Sequence, residues 1–355
     1  MPFVIVENNI RGQEMNAFRF KTMDDFREML EVLPVPDTQA IEEAALRNSM
    51  LTKPAGALGR LEDIAAWYAG WQGTPNPSIE TPCIVVFAGN HGVTAHGVSA
   101  YPMDVTAQMV ENFRSGGAAI NQLCDEVGAE LSVYPMQLDV PTADFTSQPA
   151  MTKEEFVEAL STGWNSVKTA CDTLVVGEMG IGNTTAAAAV AAALFDRDPE
   201  IWVGRGTGID ESGITVKRAA VADGLSTHLE FLDDPFEALR RLGGKEMAAM
   251  AGAIARARIE SIPVILDGFI CTAAAAVLEK ARPGALDHCI AGHLSAEAAH
   301  GRLLDSIGKL PLLRLGLRLG EGTGGALAIP VVRAALRCHS GMATFEEARV
   351  SGRTK

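Results

Sequence analysis

Two acidic residues set among glycines are the first candidates for chemistry. Glu178 stands within Val175 to Ala189, VVGEMGIGNTTAAAA, and Glu321 within Gly320 to Gly325, GEGTGG. A carboxylate with so little side-chain bulk around it is either a helix-capping acid or a base open to a substrate. In the first stretch Gly177, Gly180 and Gly182 let the backbone approach a ligand closely. The free amides that begin the following helix, with the positive end of its dipole, favour a phosphate there. Asn183 reads as the cap of that helix, and Thr184 and Thr185 add hydroxyl donors. The same pattern also serves as an ordinary strand-to-helix turn. No Lys follows the last glycine as a P-loop requires, and the spacing is not GxGxxG, so neither ATP nor a dinucleotide is favoured. An acid beside a phosphate is repulsive unless it faces away, which marks Glu178 for a role of its own.

Other residues gather around this pair. Gly204 to Asp210, GRGTGID, is either a surface turn or the second wall of an anion pocket. Lys217, about two turns into the next helix, either reaches that pocket as a point charge or stays solvated. Asp267, at the end of PVILDG, orients a hydroxyl-bearing ligand or caps the next helix. His91 and His96, and the later His288, His293 and His300, show neither HExxH nor HxH, so no metal site is expected. No GxSxG nucleophile elbow is present. Six cysteines lie scattered, without a CxxC pair and with mostly apolar neighbours, which predicts buried free thiols and no disulfide framework.

These residues need a scaffold, and the chain supplies an alternating one. Cys83 to Ala88, CIVVFA, is a continuous apolar run of the kind expected for a strand covered on both faces, and it ends in GNHGVTAHGVSAYP. Similar runs before glycine-rich loops recur at Thr173 to Val176 and Pro263 to Leu266, with weaker versions at Ile201 to Val203 and Pro311 to Leu319. Helical patterns fall between them at Asp104 to Arg114, Glu154 to Cys171, Asn183 to Leu194, Gly213 to Leu232, Lys245 to Ile259 and Thr272 to Lys280. This predicts an α/β fold with a mostly parallel sheet, helices on both faces, and ligands beyond the carboxyl ends of the strands. Upstream, Asp24 to Val32, Asp37 to Met50 and Leu58 to Trp71 are helical, and the Pro- and Gly-rich link Gly73 to Pro82 is the best boundary. We therefore expect a small helical domain over residues 1–80, completed by 331–355, and a catalytic domain over 81–330. Met1 to Arg19 reads as an arm, Pro330 should kink or split the last helix, Gly325 to Cys338, and the tail from Ser351 looks frayed.

Composition narrows the class. The 355 residues are 47% hydrophobic and 21% charged, as in a globular enzyme, and carry a net charge of -14. That charge argues against nucleic acid or an anionic membrane as the main partner. No run approaches the ~18 apolar residues of a membrane span, and the first residues lack a signal-like pattern, so a cytoplasmic protein is expected.

Taken in order, FAGNHGVTAHGVSAYP, GEMGIGNTTAAAA, GRGTGID, PVILDGFI, GHLSAE and LRLGEGTGGALA closely resemble the nicotinate-nucleotide:dimethylbenzimidazole phosphoribosyltransferase family, as does LTKPAGALGRLE at Leu51 to Glu62. The resemblance covers roughly Leu51 to Arg337. It implies transfer of phosphoribosyl from nicotinate mononucleotide to 5,6-dimethylbenzimidazole, with inversion at the anomeric carbon, giving α-ribazole 5′-phosphate and nicotinate. It also implies a Rossmann-like domain with a small helical one, a homodimer, and no cofactor. By that likeness Glu321 is the general base, and Glu178, Gly180, Gly182, Asn183, Thr184, Lys217 and Ser295 line the nucleotide site. Ser99, Tyr101 and Gln108 match the stretch around the benzimidazole. Asn90 stands where the family pattern carries Asp.

The chemistry agrees. The ring nitrogen of nicotinate mononucleotide is already cationic, so the leaving group departs neutral, and no acidic pair of the kind that holds magnesium-pyrophosphate is evident in the sequence. Attack by one azole nitrogen forces loss of the proton on the other, which a positioned carboxylate such as Glu321 accepts. The alternative is a non-catalytic nucleotide or azole sensor on the same fold, favoured only if Glu321 were replaced. A dinucleotide oxidoreductase is disfavoured by the missing GxGxxG.

Overall fold

Strands and helices alternate in the computed structural model, which describes residues 4–5, 20–206 and 208–351. An edge strand, β1 (Val4–Ile5), precedes three helices, α1 (Met23–Glu31), α2 (Thr38–Met50) and α3 (Arg60–Gln72). Thr22 and Asp25 cap α1 reciprocally, and Asp37 caps α2 through the Ala40 amide. Next come β2 (Pro82–Ala88), α4 (Asp104–Arg114), α5 (Ala119–Val127), β3 (Glu130–Pro135), α6 (Lys153–Ser166) and β4 (Thr173–Met179). Five helices follow: α7 (Asn183–Leu194), α8 (Pro199–Trp202), α9 (Glu211–His228), α10 (Pro235–Leu242) and α11 (Lys245–Ile259). The chain then runs through β5 (Val264–Leu266), α12 (Phe269–Ala281), β6 (Cys289–His293), α13 (His300–Ser306), β7 (Pro311–Leu313) and α14 (Thr323–Gly341).

The strands form one sheet in the order β1-β3-β2-β4-β5-β6-β7, every pairing parallel. From β2 the chain goes to β3 on one side and then to β4 on the other, so β2 and β4 flank a topological switch point, where open sheets of this kind leave a crevice. Side chains alternate across β2. Val85 and Phe87 join the core under α6, α7, α10, α11 and α12, while Ile84, Val86 and Ala88 join the core under α3, α5 and α14. A strand buried on both faces has no polar register, which is why its sequence reads as an unbroken apolar run.

Several local expectations change. β4 does not stop at Val176: Gly177, Glu178 and Met179 pair with Val86, Phe87 and Ala88, carrying Glu178 to the carboxyl edge as a strand residue. Ile201 to Val203 is not a strand, because Asp198 caps a short helix there with Pro199 in its first turn. The strand expected over Pro311 to Leu319 ends at Leu313. β3, β6, α5 and α10 are elements the sequence reading did not contain. Cys83 and Cys171 form a disulfide with Cα atoms 5.9 Å apart, correcting the free-thiol expectation for that pair, whereas Cys124, Cys271 and Cys289 are buried free thiols.

The last helix returns to the early ones. α14 packs on α3 and α5, and Arg47 of α2 donates to the carbonyls of His339, Ser340 and Met342 at its far end. Pro330 lies inside α14, which runs through it. Helix α1 goes elsewhere, setting Phe26 against Trp164 and Phe236 on the opposite face. The expected arm, apart from Val4–Ile5, and the tail beyond Ser351 lie outside the described residues. No helix among the described residues is long and apolar enough to cross a membrane.

Candidate active site

A cleft opens at the carboxyl ends of β4, β5 and β6. Glu178, Gly180, Asn183 and Thr184 form one wall, Phe269 and Ile270 of α12 the floor, and Ser295, Glu297, Arg318 and Gly320 the other side. Among the described residues no three His, Cys, Asp or Glu side chains are grouped to hold a metal.

The first wall is the start of α7. Gly182, with φ of 93°, is the cap residue, a left-handed conformation that a side chain would strain, and Asn183 is the first helical residue instead of the cap. Asn183 Nδ2 donates to Glu178 Oε2. Burial pushes the Glu178 carboxyl up to about 8, with the charges of Asp267, Glu246 and Glu321 adding to the effect and the Asn183 hydrogen bond opposing it. Near neutral pH it is therefore mostly a neutral acid, which removes the repulsion expected between a carboxylate and a phosphate at this loop. Lys217, only 3% exposed, donates from Nζ to Thr184 Oγ1 at 2.8 Å, so the solvated alternative for this lysine does not apply. Desolvation brings its ammonium down to about 8, with the Glu297 charge working the other way.

The second constellation is the loop into α14. Glu321 is buried in a left-handed conformation with φ of 63°, rare for a residue with a side chain. A side chain at Gly177 would strike the Glu321–Gly322 backbone, so this loop lies flush against β4. Burial raises the Glu321 carboxyl to about 7, against a hydrogen bond from the Ile120 amide at the start of α5 and with the charge of Asp267 adding. Its Oε2 has no partner among the described residues. Gly320 lines the cleft, and Glu321 lies one residue behind that lining.

Asp267 is not placed as a cleft residue, nor as a cap on α12. It is 1% exposed and accepts from the amides of Gly322 at 3.1 Å, Gly324 at 2.8 Å and Gly325 at 3.0 Å, capping α14 from another strand. Ser295 does line the cleft, and its amide donates to His300 Nδ1 at 2.9 Å, so that ring fixes the wall from behind. Ser99, Tyr101 and Gln108 are not among the lining residues: the Ser99 hydroxyl accepts from the Tyr101 amide, Tyr101 is 53% exposed, and Gln108 is exposed on α4. Helix α4 still touches the site, because Thr106 Oγ1 accepts from the Ile181 amide. Asn90 donates to the Leu138 carbonyl at 3.1 Å. Sequence reasoning passed over Arg318 and Glu297, although both lie inside motifs it quoted. It also passed over Phe269 and Ile270, whose signal is no more than an apolar pair after PVILDG.

A phosphoribosyltransferase family profile matches residues 33–350. This chain belongs to that family. It is 62% identical over 331 residues to the nicotinate-nucleotide–dimethylbenzimidazole phosphoribosyltransferase of Jannaschia sp. strain CCS1, covering 93% of this chain and 98% of that one. It is 52% identical to the protein of the same name from Methylocella silvestris, over 93% and 97% of the two chains. A crystal structure of the correspondingly named enzyme of Thermus thermophilus superposes with a TM-score of 0.84 at 42% identity, covering 89% of this chain and all of that one.

Proposed function

We propose that this phosphoribosyltransferase moves the phosphoribosyl group of nicotinate mononucleotide to 5,6-dimethylbenzimidazole, releasing nicotinate and forming α-ribazole 5′-phosphate. The phosphate sits at the start of α7, beside Thr184 and Lys217, with Gly180, Gly182 and Asn183 shaping the loop and Arg318 on the far side. Glu178, neutral and held by Asn183, is a hydrogen-bond donor facing the sugar or base. Breaking the glycosidic bond returns an electron pair to the pyridinium nitrogen, so nicotinate leaves without its ring charge. One azole nitrogen forms the new bond to the anomeric carbon from the opposite face, and the proton on the other passes to Glu321. By the family likeness alone, Ser99, Tyr101 and Gln108 are proposed to reach the azole from the α4 side, although none of them lines the cleft.

The observation that carries this reading is a buried carboxylate with a proton affinity near neutrality and an unpartnered oxygen, in a loop that lies against the wall holding the anion-binding helix start. Incubating the protein with both substrates should release nicotinate and consume the azole in equal amounts, and nicotinate formation that ignores the azole would overturn the transfer. We further propose a cytoplasmic homodimer, with the helical ends of the chain forming its small domain, on the strength of the family likeness.

A further inference from the structure

Glu321 carries a side chain in a backbone conformation usually left to glycine, and such a conformation persists only where its surroundings over-determine it. Two hydrogen bonds do so here. The amide of Glu321 donates to the Glu178 carbonyl at 3.1 Å, and the next amide, that of Gly322, donates to Asp267 Oδ2 at 3.1 Å. The peptide planes on both sides of Glu321 are thus tied one to β4 and the other to the residue that follows β5. Asp267 Oδ1 takes the amides of Gly324 and Gly325 as well, and α14 has no acid of its own in its first turn. A charged acceptor for three amides, reaching across 55 residues of sequence to the nearest of them, is a strong and directional anchor.

We propose that Asp267 is a positioning residue for the transfer, pinning the first turn of α14 so that Glu321 keeps the conformation in which it receives the azole proton. The inference rests on Glu321 being that proton acceptor. Asp267 also sets the electrostatic surroundings of the base. The groups facing this cluster are Glu178 from β4, His293 from β6, whose Nε2 is 3.4 Å from Asp267 Oδ1, the Cys271 thiol from α12, the Ile120 amide from α5 and His300 from α13, on which the Asp267 charge also acts, with Glu246 of α11 acting on Glu178. The negative charge of Asp267 favours the protonated form of Glu321, so removing that charge lowers the proton affinity of Glu321.

The test compares wild type with Asp267→Asn and Asp267→Glu, each checked for a cooperative thermal transition. In Asp267→Asn, kcat should fall about tenfold or more while the KM for nicotinate mononucleotide stays within about twofold, as expected for a misplaced catalytic group. The acid limb of the kcat profile should move down by about half a pH unit. Asp267→Glu keeps the charge and displaces the anchor, so its kcat falls with the limb unmoved. An unchanged kcat in either folded variant, or a limb that moves in both or in neither, overturns the proposal. Titrating the Glu321 carboxyl by NMR with ¹³C-labelled glutamate, its signal assigned by loss in Glu321→Gln, reads the same shift without turnover. A protein that shows the shift but releases no nicotinate refutes the reaction and leaves the role of Asp267 in setting Glu321 standing.

Discussion

Helices α7 and α14 begin alike and are used in opposite ways. Each starts at a left-handed glycine, Gly182 with φ of 93° and Gly322 with φ of 84°, and each opens beyond the carboxyl edge of the same parallel sheet. The start of α14 is filled from within, by Asp267. At the start of α7 no side-chain oxygen among the described residues accepts from the amides of Asn183, Thr184 or Thr185, and a threonine and a buried lysine stand beside it. Every helix start attracts an anion. In the proposed reading, one of them is left unfilled for the phosphate of the ligand, and the other becomes a rigid mount filled by the protein's own carboxylate.

The contrast can be broken from either side. The largest effect is expected at the filled end, where Glu321→Gln should lower kcat about 100-fold or more while leaving the KM for the nucleotide and the fold intact, and wild-type turnover in that variant removes Glu321 from the mechanism. At the open end, Thr184→Asp gives α7 an internal carboxylate beside Lys217. The KM for nicotinate mononucleotide should rise between about 10- and 100-fold with no loss of thermal stability, and unchanged KM would show that the phosphate binds elsewhere.

The pH dependence sharpens the division of labour. In the proposed transfer, Glu321, raised to about 7, loses its proton to act, and Lys217, lowered to about 8, keeps its own to bind phosphate. kcat/KM for the nucleotide should therefore fall below about 7 and again above about 8, while kcat at saturation keeps the acid limb alone because bound phosphate retains the Lys217 proton. Lys217→Arg should lift the alkaline limb, and a limb that stays in place belongs to Glu178 instead.

The smallest effect is on stability. The folded-state value of Glu178 is raised from 4.5 to about 8, so the unfolded chain binds fewer protons than the folded one between those values and stability falls as pH rises through that window. Glu178→Gln should open a melting-temperature gap over wild type across it, reaching a few degrees. A gap that does not change with pH would place the charge cost elsewhere.

Several helices were legible in the sequence. Asp104–Arg114, Asn183–Leu194 and Lys245–Ile259 span the stretches that their helical periodicity marks, although none of the three carries a side-chain cap. Short strands were not: Glu130–Pro135 opens with a charged residue, and Cys289–His293 is five residues holding a glycine and a histidine, so neither shows a period. The Asp198-Pro199 and Asp234-Pro235 pairs did signal helix starts, but an apolar trio outweighed the first and the second passed unread. In the site, the glycine loops pointed to the edge of the sheet where the cleft opens. What stayed hidden was long-range: that Asp267 caps a helix 55 residues away and that Cys83 meets Cys171 across 88 residues. Each depends on strand order, which local pattern does not encode.

Helix α14 has a mechanical consequence. Its 19 residues make a rod of roughly 28 Å, with the base at one tip and the grip of Arg47 at the other, where Leu51 also bridges to Thr344. Swinging such a rod by about five degrees displaces its end by roughly 2 Å, enough to take a carboxylate out of hydrogen-bond reach. With Glu321 as the proposed proton acceptor, a shift in the packing of the helices that hold the far tip would be felt as a change in the rate of proton removal.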